Sequence, residues 1–197
     1  MAEKLLLFNK WDIENVEIKD IGLKHVISLK PSVIPTSLGR HEHQKFKKIE
    51  VNIVERLINN LMHFGKKNAK NTGRMGGKKQ RAINIVKTSF DIIYLRTKNN
   101  PIEVLVRAVE NCSPNEDITR ISYGGVVYHL SVDISPLRRI DLALRFISEG
   151  SRESSFSSPK SIEESLAEEI ILASNNDNNS YAIRKKNEQE RIAMSSR

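Results

Sequence analysis

Two β-rich runs separated by a Gly-Gly pair constrain this chain more than any other feature. Arg120-Ile121-Ser122-Tyr123 leads into Gly124-Gly125, and Val126-Val127-Tyr128-His129-Leu130-Ser131-Val132-Asp133-Ile134 leads away. Glycines take the positive φ values that a two-residue hairpin turn demands, so the stretch predicts a β-hairpin. It ends in Ser135-Pro136-Leu137. That run predicts a helix start, with Ser135 as N-cap and Pro136 at the first helical position, where a missing N–H costs nothing. An isolated two-stranded ribbon is marginally stable in water, so a chain with one ribbon among helices holds it against something else.

The remaining apolar spacing is helical. From about Phe46, Ile49, Ile53, Leu57 and Leu61 recur every fourth residue, Val54, Ile58 and Met62 form an adjoining row, and Gly65 stands where a C-cap belongs. A second helix runs to about Thr97 with Ala82, Ile85, Val86, Ser89, Phe90 and Ile93 facing inward. Asn100-Pro101 caps and opens a third, with Ile102, Leu105, Val106 and Val109 at helical spacing; Ser113-Pro114 closes it, and Asn115 to Thr119 is a polar lead-in to the hairpin. Beyond the hairpin, Leu137, Ile140, Leu144 and Ile147 form a seam that Gly150 is expected to end, and Ser151 to Ser158 reads as a loop. Ile162, Leu166 and Ile170 mark the next helix, whose outer face is expected to carry Glu163, Glu164, Glu168 and Glu169. Tyr181 to Ala193 reads as a charged helix, too polar to fold alone, that lies across a surface. The first forty residues keep no steady period and are broken by Pro31, Pro35 and Gly39. They predict an extended arm packed on the core, with Trp11 as its anchor. The expected fold is mainly α: a bundle of about six helices with one protruding β-hairpin and an extended N-terminal arm. Residues 1–44 form the arm and residues 45–197 the helical domain, with the hairpin at about 118–134.

Charge narrows the partner. The 197 residues carry a formal charge of +8, and a surface this basic attracts polyanions. No apolar run approaches the roughly 20 residues of a spanning helix, so nucleic acid is favoured over a membrane. Between Arg56 and Phe90 there is no acidic residue, while Arg56, Lys66, Lys67, Lys70, Arg74, Lys78, Lys79, Arg81 and Lys87 are cationic. A solvated face usually mixes both signs, so a one-sign segment points to an anionic partner. Within it, Gly73-Arg74-Met75-Gly76-Gly77-Lys78-Lys79 departs from a nucleotide phosphate loop: its glycines are one residue too close and Lys79 stands where a hydroxyl would reach magnesium. What it retains is a glycine turn before a helix N-terminus that offers N–H groups beside Lys78, Lys79 and Arg81 to a phosphate.

No catalytic set, cofactor or metal is expected. His41 and His43 lack further ligands at metal spacing, and the single Cys112 reads as a buried thiol. A DNA regulator of the helix-turn-helix type needs a recognition helix with base-reading residues at its start, whereas the basic segment here lies mostly in a loop.

Ile53-Val54-Glu55-Arg56-Leu57, the Gly73 to Lys79 run, Asn100-Pro101-Ile102-Glu103-Val104-Leu105 and Val132-Asp133-Ile134-Ser135-Pro136-Leu137-Arg138-Arg139 together resemble the family of small-subunit ribosomal protein seven, protein five in the eukaryotic count. The resemblance covers about Phe8 to Arg197. Asn179 to Lys186 looks like the eukaryotic and archaeal form. It implies a structural protein that binds the 3′ major domain of small-subunit ribosomal RNA, helps assemble the subunit head, and places its hairpin near the exit site for tRNA and mRNA. Implied neighbours are ribosomal proteins of the head and platform. The implied compartment is the cytoplasm, with nucleolar assembly if the source is eukaryotic. Carried onto this sequence, the RNA contacts are Arg56, Gly73, Arg74, Gly76, Gly77, Lys78, Lys79, Arg81, Lys87, Arg120, Arg138, Arg139, Lys185 and Lys186, and the exit-site hairpin is Tyr123, Gly124, Gly125, Val126, Val127, Tyr128 and His129. Lys66 to Thr72 looks like an insertion relative to the family. The hairpin tip is less basic than in eukaryotic relatives, which implies contact by shape and packing more than by charge. Folded RNA also exposes bases on which Tyr123, Tyr128 and His129 could stack.

Overall fold

The apolar spacing becomes seven α-helices and one antiparallel ribbon in the computed structural model, which describes residues 5–62 and 75–197. In chain order these are α1 (Ile21–Lys24), α2 (Ile53–Met62), α3 (Lys79–Thr97), α4 (Pro101–Cys112), β1 (Glu116–Tyr123), β2 (Val126–Asp133), α5 (Pro136–Ser155), α6 (Ile162–Ser174) and α7 (Tyr181–Ser195). The mainly helical class with its hairpin is as expected, and single-turn α1 brings the helices to seven.

Helix starts follow their caps. The Asn100 side chain accepts the Ile102 N–H at 3.1 Å ahead of Pro101, and Ser161 with Glu164 forms a reciprocal capping box on α6. One stripe of α3, from Ala82 to Ile93, meets α6, while α5 packs on α4, α6 and α7. Phe90, Leu105, Ile140, Leu144, Leu166 and Ile170 are fully buried there. Each such side chain contributes about 1.5–3 kcal/mol relative to exposure.

The arm joins the same core. Leu7, Phe8, Ile13, Leu23, Val26 and Ile27 are buried, and Phe8 meets Phe90 edge-on with ring centroids 6.4 Å apart. Trp11 is half-buried against Tyr94, at 5.1 Å, so Leu7, Phe8 and Ile13 are the deeper anchors.

Several expectations are corrected by tertiary contacts. Helix α2 starts at Ile53, not Phe46: Phe46 is exposed at φ 62°, Ile49 sits in a 3-10 turn, and the Asn52 side chain accepts the Val54 N–H at 2.9 Å as the helix start. Strand β1 begins at Glu116, inside the expected lead-in. Gly150 does not end α5, which runs to Ser155 and takes Ser151 into the core. A Cβ at Gly150 would stand 2.8 Å from Tyr181 Cβ and 3.0 Å from Glu169 Cδ, so glycine is there for close packing. Glu169 is not on an outer face. It is buried, accepting from the Ser180 hydroxyl at 2.7 Å and the Ala182 N–H at 2.9 Å, and so ties α6 to the start of α7. The expected C-cap Gly65 lies outside the described residues.

Candidate nucleic-acid interface

Met75, Gly76 and Gly77 form a turn closed by the Lys78 N–H on the Met75 carbonyl at 3.1 Å, with Gly77 at φ 71°. Helix α3 starts immediately after. Its first bond runs from the Ala82 N–H to the Lys78 carbonyl at 3.2 Å, so the N–H groups of Lys79, Gln80 and Arg81 precede the ladder and carry the positive end of the helix dipole. Lys78, Arg81 and Lys87 are exposed and have no acidic partner among the described residues. Asp91, the first acid of α3, is already held by Lys10 at 2.8 Å. The result is an unopposed cationic sector beside an open helix N-terminus, which suits a phosphate chain.

Lys79 belongs to the scaffold of this sector. Its ammonium lies 2.6 Å from the buried Glu55 carboxylate, which also accepts from the Ser37 N–H at 2.8 Å and hydroxyl at 2.9 Å. Burial alone would raise the Glu55 pKa; Lys79 and Ser37 outweigh it and hold the carboxyl below its ordinary value. Arm, α2 and the start of α3 are thereby fixed to one another.

Other expected contacts are engaged inside the fold. Arg56 is 2% exposed, pairs with Asp141 of α5 at 3.0 Å and donates to the Val26 carbonyl at 3.4 Å. Its position is that of a core tie and not of a surface contact. Arg139 donates to the Pro114 carbonyl at 3.2 Å, Asp20 at 3.0 Å and the Ser113 hydroxyl at 3.1 Å, which locks the foot of the ribbon to α1 and α4. Arg138 is exposed but pairs with Asp117 at 2.9 Å. Lys186 donates to the Asn111 carbonyl at 2.9 Å, and Lys185 pairs with Glu188 at 2.6 Å. Gly73 and Arg74, with Lys66, Lys67 and Lys70, lie outside the described residues.

The ribbon pairs Glu116 with Asp133 through to Tyr123 with Val126, turning on Gly124 at φ 58° and Gly125 at φ 83°. Arg120 stands opposite His129, and Ile121 opposite Tyr128. Every residue from Thr119 to Leu130 is exposed. The Gly-Gly pair supplies the two left-handed residues of the turn, as the sequence required.

The model of the family described as Ribosomal protein S7p/S5e matches residues 23–197. The chain belongs to this family. It is similar to the small ribosomal subunit protein uS7 of Cenarchaeum symbiosum (strain A), with 60% identity over 196 residues that cover 100% of this chain and 98% of the relative. The same-named protein of Methanothermobacter thermautotrophicus is 50% identical over 190 residues, covering 96% and 98%. That of Methanosphaera stadtmanae is 47% identical over 189 residues, covering 96% and 97%.

The fold brings to the site residues that sequence reasoning alone does not single out. Gln80, Asn84 and Thr88 are exposed beside Arg81 and Lys87 on the same sector of α3. Their signal is that of polar residues three or four positions apart, opposite the apolar stripe. Thr119, Leu130 and Val132 look like strand filler in the sequence, yet their register gives one ribbon face its character.

Proposed function

We propose that this chain is a structural protein of the small ribosomal subunit that binds the 3′ major domain of its ribosomal RNA and helps assemble the subunit head. The hairpin extends toward the exit site for tRNA and mRNA, among neighbouring proteins of the head and platform. The compartment is the cytoplasm, within the subunit. Family membership supports the ribosomal role, and the unopposed cations Lys78, Arg81 and Lys87 around the open start of α3 carry the RNA reading. Gly73, Arg74, Gly76, Gly77 and Lys79 complete that surface; Arg120, Arg138 and Lys185 are candidates at its edge.

The test is a titration of the full chain against a 3′-major-domain RNA fragment over a series of salt concentrations. Replacing Lys78, Arg81 and Lys87 together by glutamine should weaken binding and lower the salt slope by about 0.7–0.9 for each phosphate no longer neutralised. An unchanged slope would remove these residues from the interface.

A further inference from the structure

A cleft of about 480 Å³ opens between residues 36–42 of the arm, α2 and the start of α3. Its volume lies within the roughly 300–1,000 Å³ of sites that take small organic groups. The arm contributes two consecutive left-handed residues, Leu38 at φ 53° and Gly39 at φ 74°. Glycine adopts that conformation freely, whereas a leucine is strained there, and this one also leaves its side chain 75% exposed. Half-buried Met62 adds a second apolar group to the lining. Polar groups of the same lining have hydrogen-bonding capacity to spare. Among the described residues the Asn59 amide has no partner, Asn60 donates to the Arg56 carbonyl at 2.9 Å and keeps its own oxygen unspent, and His41 meets the Ser37 hydroxyl at 3.2 Å through Nδ1 alone. Arg56, also in the lining and 2% exposed, has no acceptor for its Nε–H.

The cleft is not built for a phosphate. Its cations are spent inside the fold, Lys79 on Glu55, and Arg56 and Lys48 on Asp141 at 3.0 Å and 2.8 Å. Glu42 adds a carboxylate that has no cationic partner among the described residues, so an anion gains nothing there. A nucleobase suits it. A base is neutral and flat, with two apolar faces and an edge of donors and acceptors that asparagine amides and imidazoles read. The start of α3 supplies what would bring one: Lys79 lines the cleft, and next to it in the chain Lys78 and Arg81 are the exposed cations to which a phosphate chain is drawn. Resting on the RNA reading above, we infer that the cleft takes one unstacked base of the ribosomal RNA whose phosphates lie on those cations. Asn59 and Asn60 meet the edge of that base, and Leu38 and Met62 cover its faces. The strained leucine is then kept for a contact that glycine could not make.

Two variants of the full chain, titrated against the 3′-major-domain RNA fragment over a salt series, test this. Asn59→Leu removes the unspent amide at a helical position that suits leucine, and Leu38→Gly removes the apolar group while relieving the backbone. Asn59→Leu should weaken binding about tenfold and Leu38→Gly by less, both with the salt slope of the parent. Parent-like affinity in both, or a loss with a shallower slope, the mark of a lost phosphate contact, would overturn the inference. Should Asn59→Leu not fold, Leu38→Gly carries the same test. Chemical probing of the bound fragment gives an independent readout. One base whose Watson–Crick edge the parent protects should react again in the Asn59→Leu complex while the backbone protections stay; an unchanged base pattern would overturn the inference. If the parent itself does not bind the fragment, the RNA reading has failed; if the parent binds and both variants match it, this inference alone falls. Parent-like RNA binding with poorer entry into assembled subunits would assign the cleft to a protein and likewise overturn it.

Discussion

The start of α3 and the hairpin both leave groups without internal partners, but they do so with opposite chemistry and on opposite kinds of support. The cations Lys78, Arg81 and Lys87 ride on or beside a 19-residue helix whose other stripe is buried around Phe90. The ribbon has no such backing beyond its foot. There the Ile134 N–H reaches the Asn115 carbonyl at 3.0 Å, Arg139 and Arg138 bind from α5, Glu190 of α7 holds Asn115, and Arg197 just beyond it holds Glu116. The difference teaches a division of labour. Charge acts through space and tolerates imprecision, so in the proposed function a rigid helix with a row of cations supplies affinity. A thin ribbon presents side chains in fixed register, and in the same proposal it meets its partners by shape.

Removing the foot is the strongest way to break that contrast. Arg139→Ala deletes three hydrogen bonds, one within a partly buried ion pair, and should cost about 2 kcal/mol by denaturant unfolding. Amide exchange at Ile134 should quicken by more than exchange in α3. Equal acceleration in both would mean that the ribbon is not independently held.

Acid should act unequally on three carboxylates. Glu55 and Asp117 lie below their ordinary values; for Asp117, burial raises the pKa but the Ile118 N–H, Gln189 and Arg138 outweigh it. The stability these two contribute is present above their ordinary values, 4.5 and 3.8, and is lost as pH falls through the lowered ones. Glu169 is raised, because burial exceeds the help of the Ala182 N–H, the Ser180 hydroxyl and the Tyr181 N–H. Its contribution is present below 4.5 and fades as pH rises through the folded value. Unfolding free energies against pH for Glu55→Gln, Asp117→Asn and Glu169→Gln should show these slopes removed one at a time. The first two variants flatten the acid limb and the third flattens the opposite one; a single shared slope would refute the assignment. The smallest effect belongs to the ribbon tip. Ile121→Ser with Leu130→Ser should change unfolding free energy by less than about 0.5 kcal/mol, since neither side chain belongs to the core. A larger loss would show that the open face is part of the folded core.

Local rules make much of this legible in the sequence. The Gly-Gly turn, the Asn100-Pro101 start and the α3 stripe are all set within a few residues, and each is as the sequence expects. What escapes depends on residues far apart in the chain. Arg56 looks like one more cation of a basic run until folding brings Asp141, 85 positions away, to it. Glu169 stands among four glutamates, and nothing local separates it from Glu168, which pairs with Lys160 at 2.7 Å. Gly150 resembles a terminator because the side chains that need its empty space, Glu169 and Tyr181, arrive from α6 and α7. At the candidate interface, sign is readable from the acid-free segment, whereas which cations remain unspent is not.

Cys112 closes α4 at zero exposure, and burial, with Glu169 nearby, pushes its thiol well above the usual range. Thiolate is the reactive species, so a closed molecule is inert to alkylation. The neighbouring Asn111 holds the last carbonyls of α6 and receives Lys186 from α7. A thiol reagent therefore counts the openings that uncover the end of α4, which α6 and α7 cover in the closed molecule. The chain carries its own stopwatch for that opening, and the same clock can be read on the free protein and on one held by its partners.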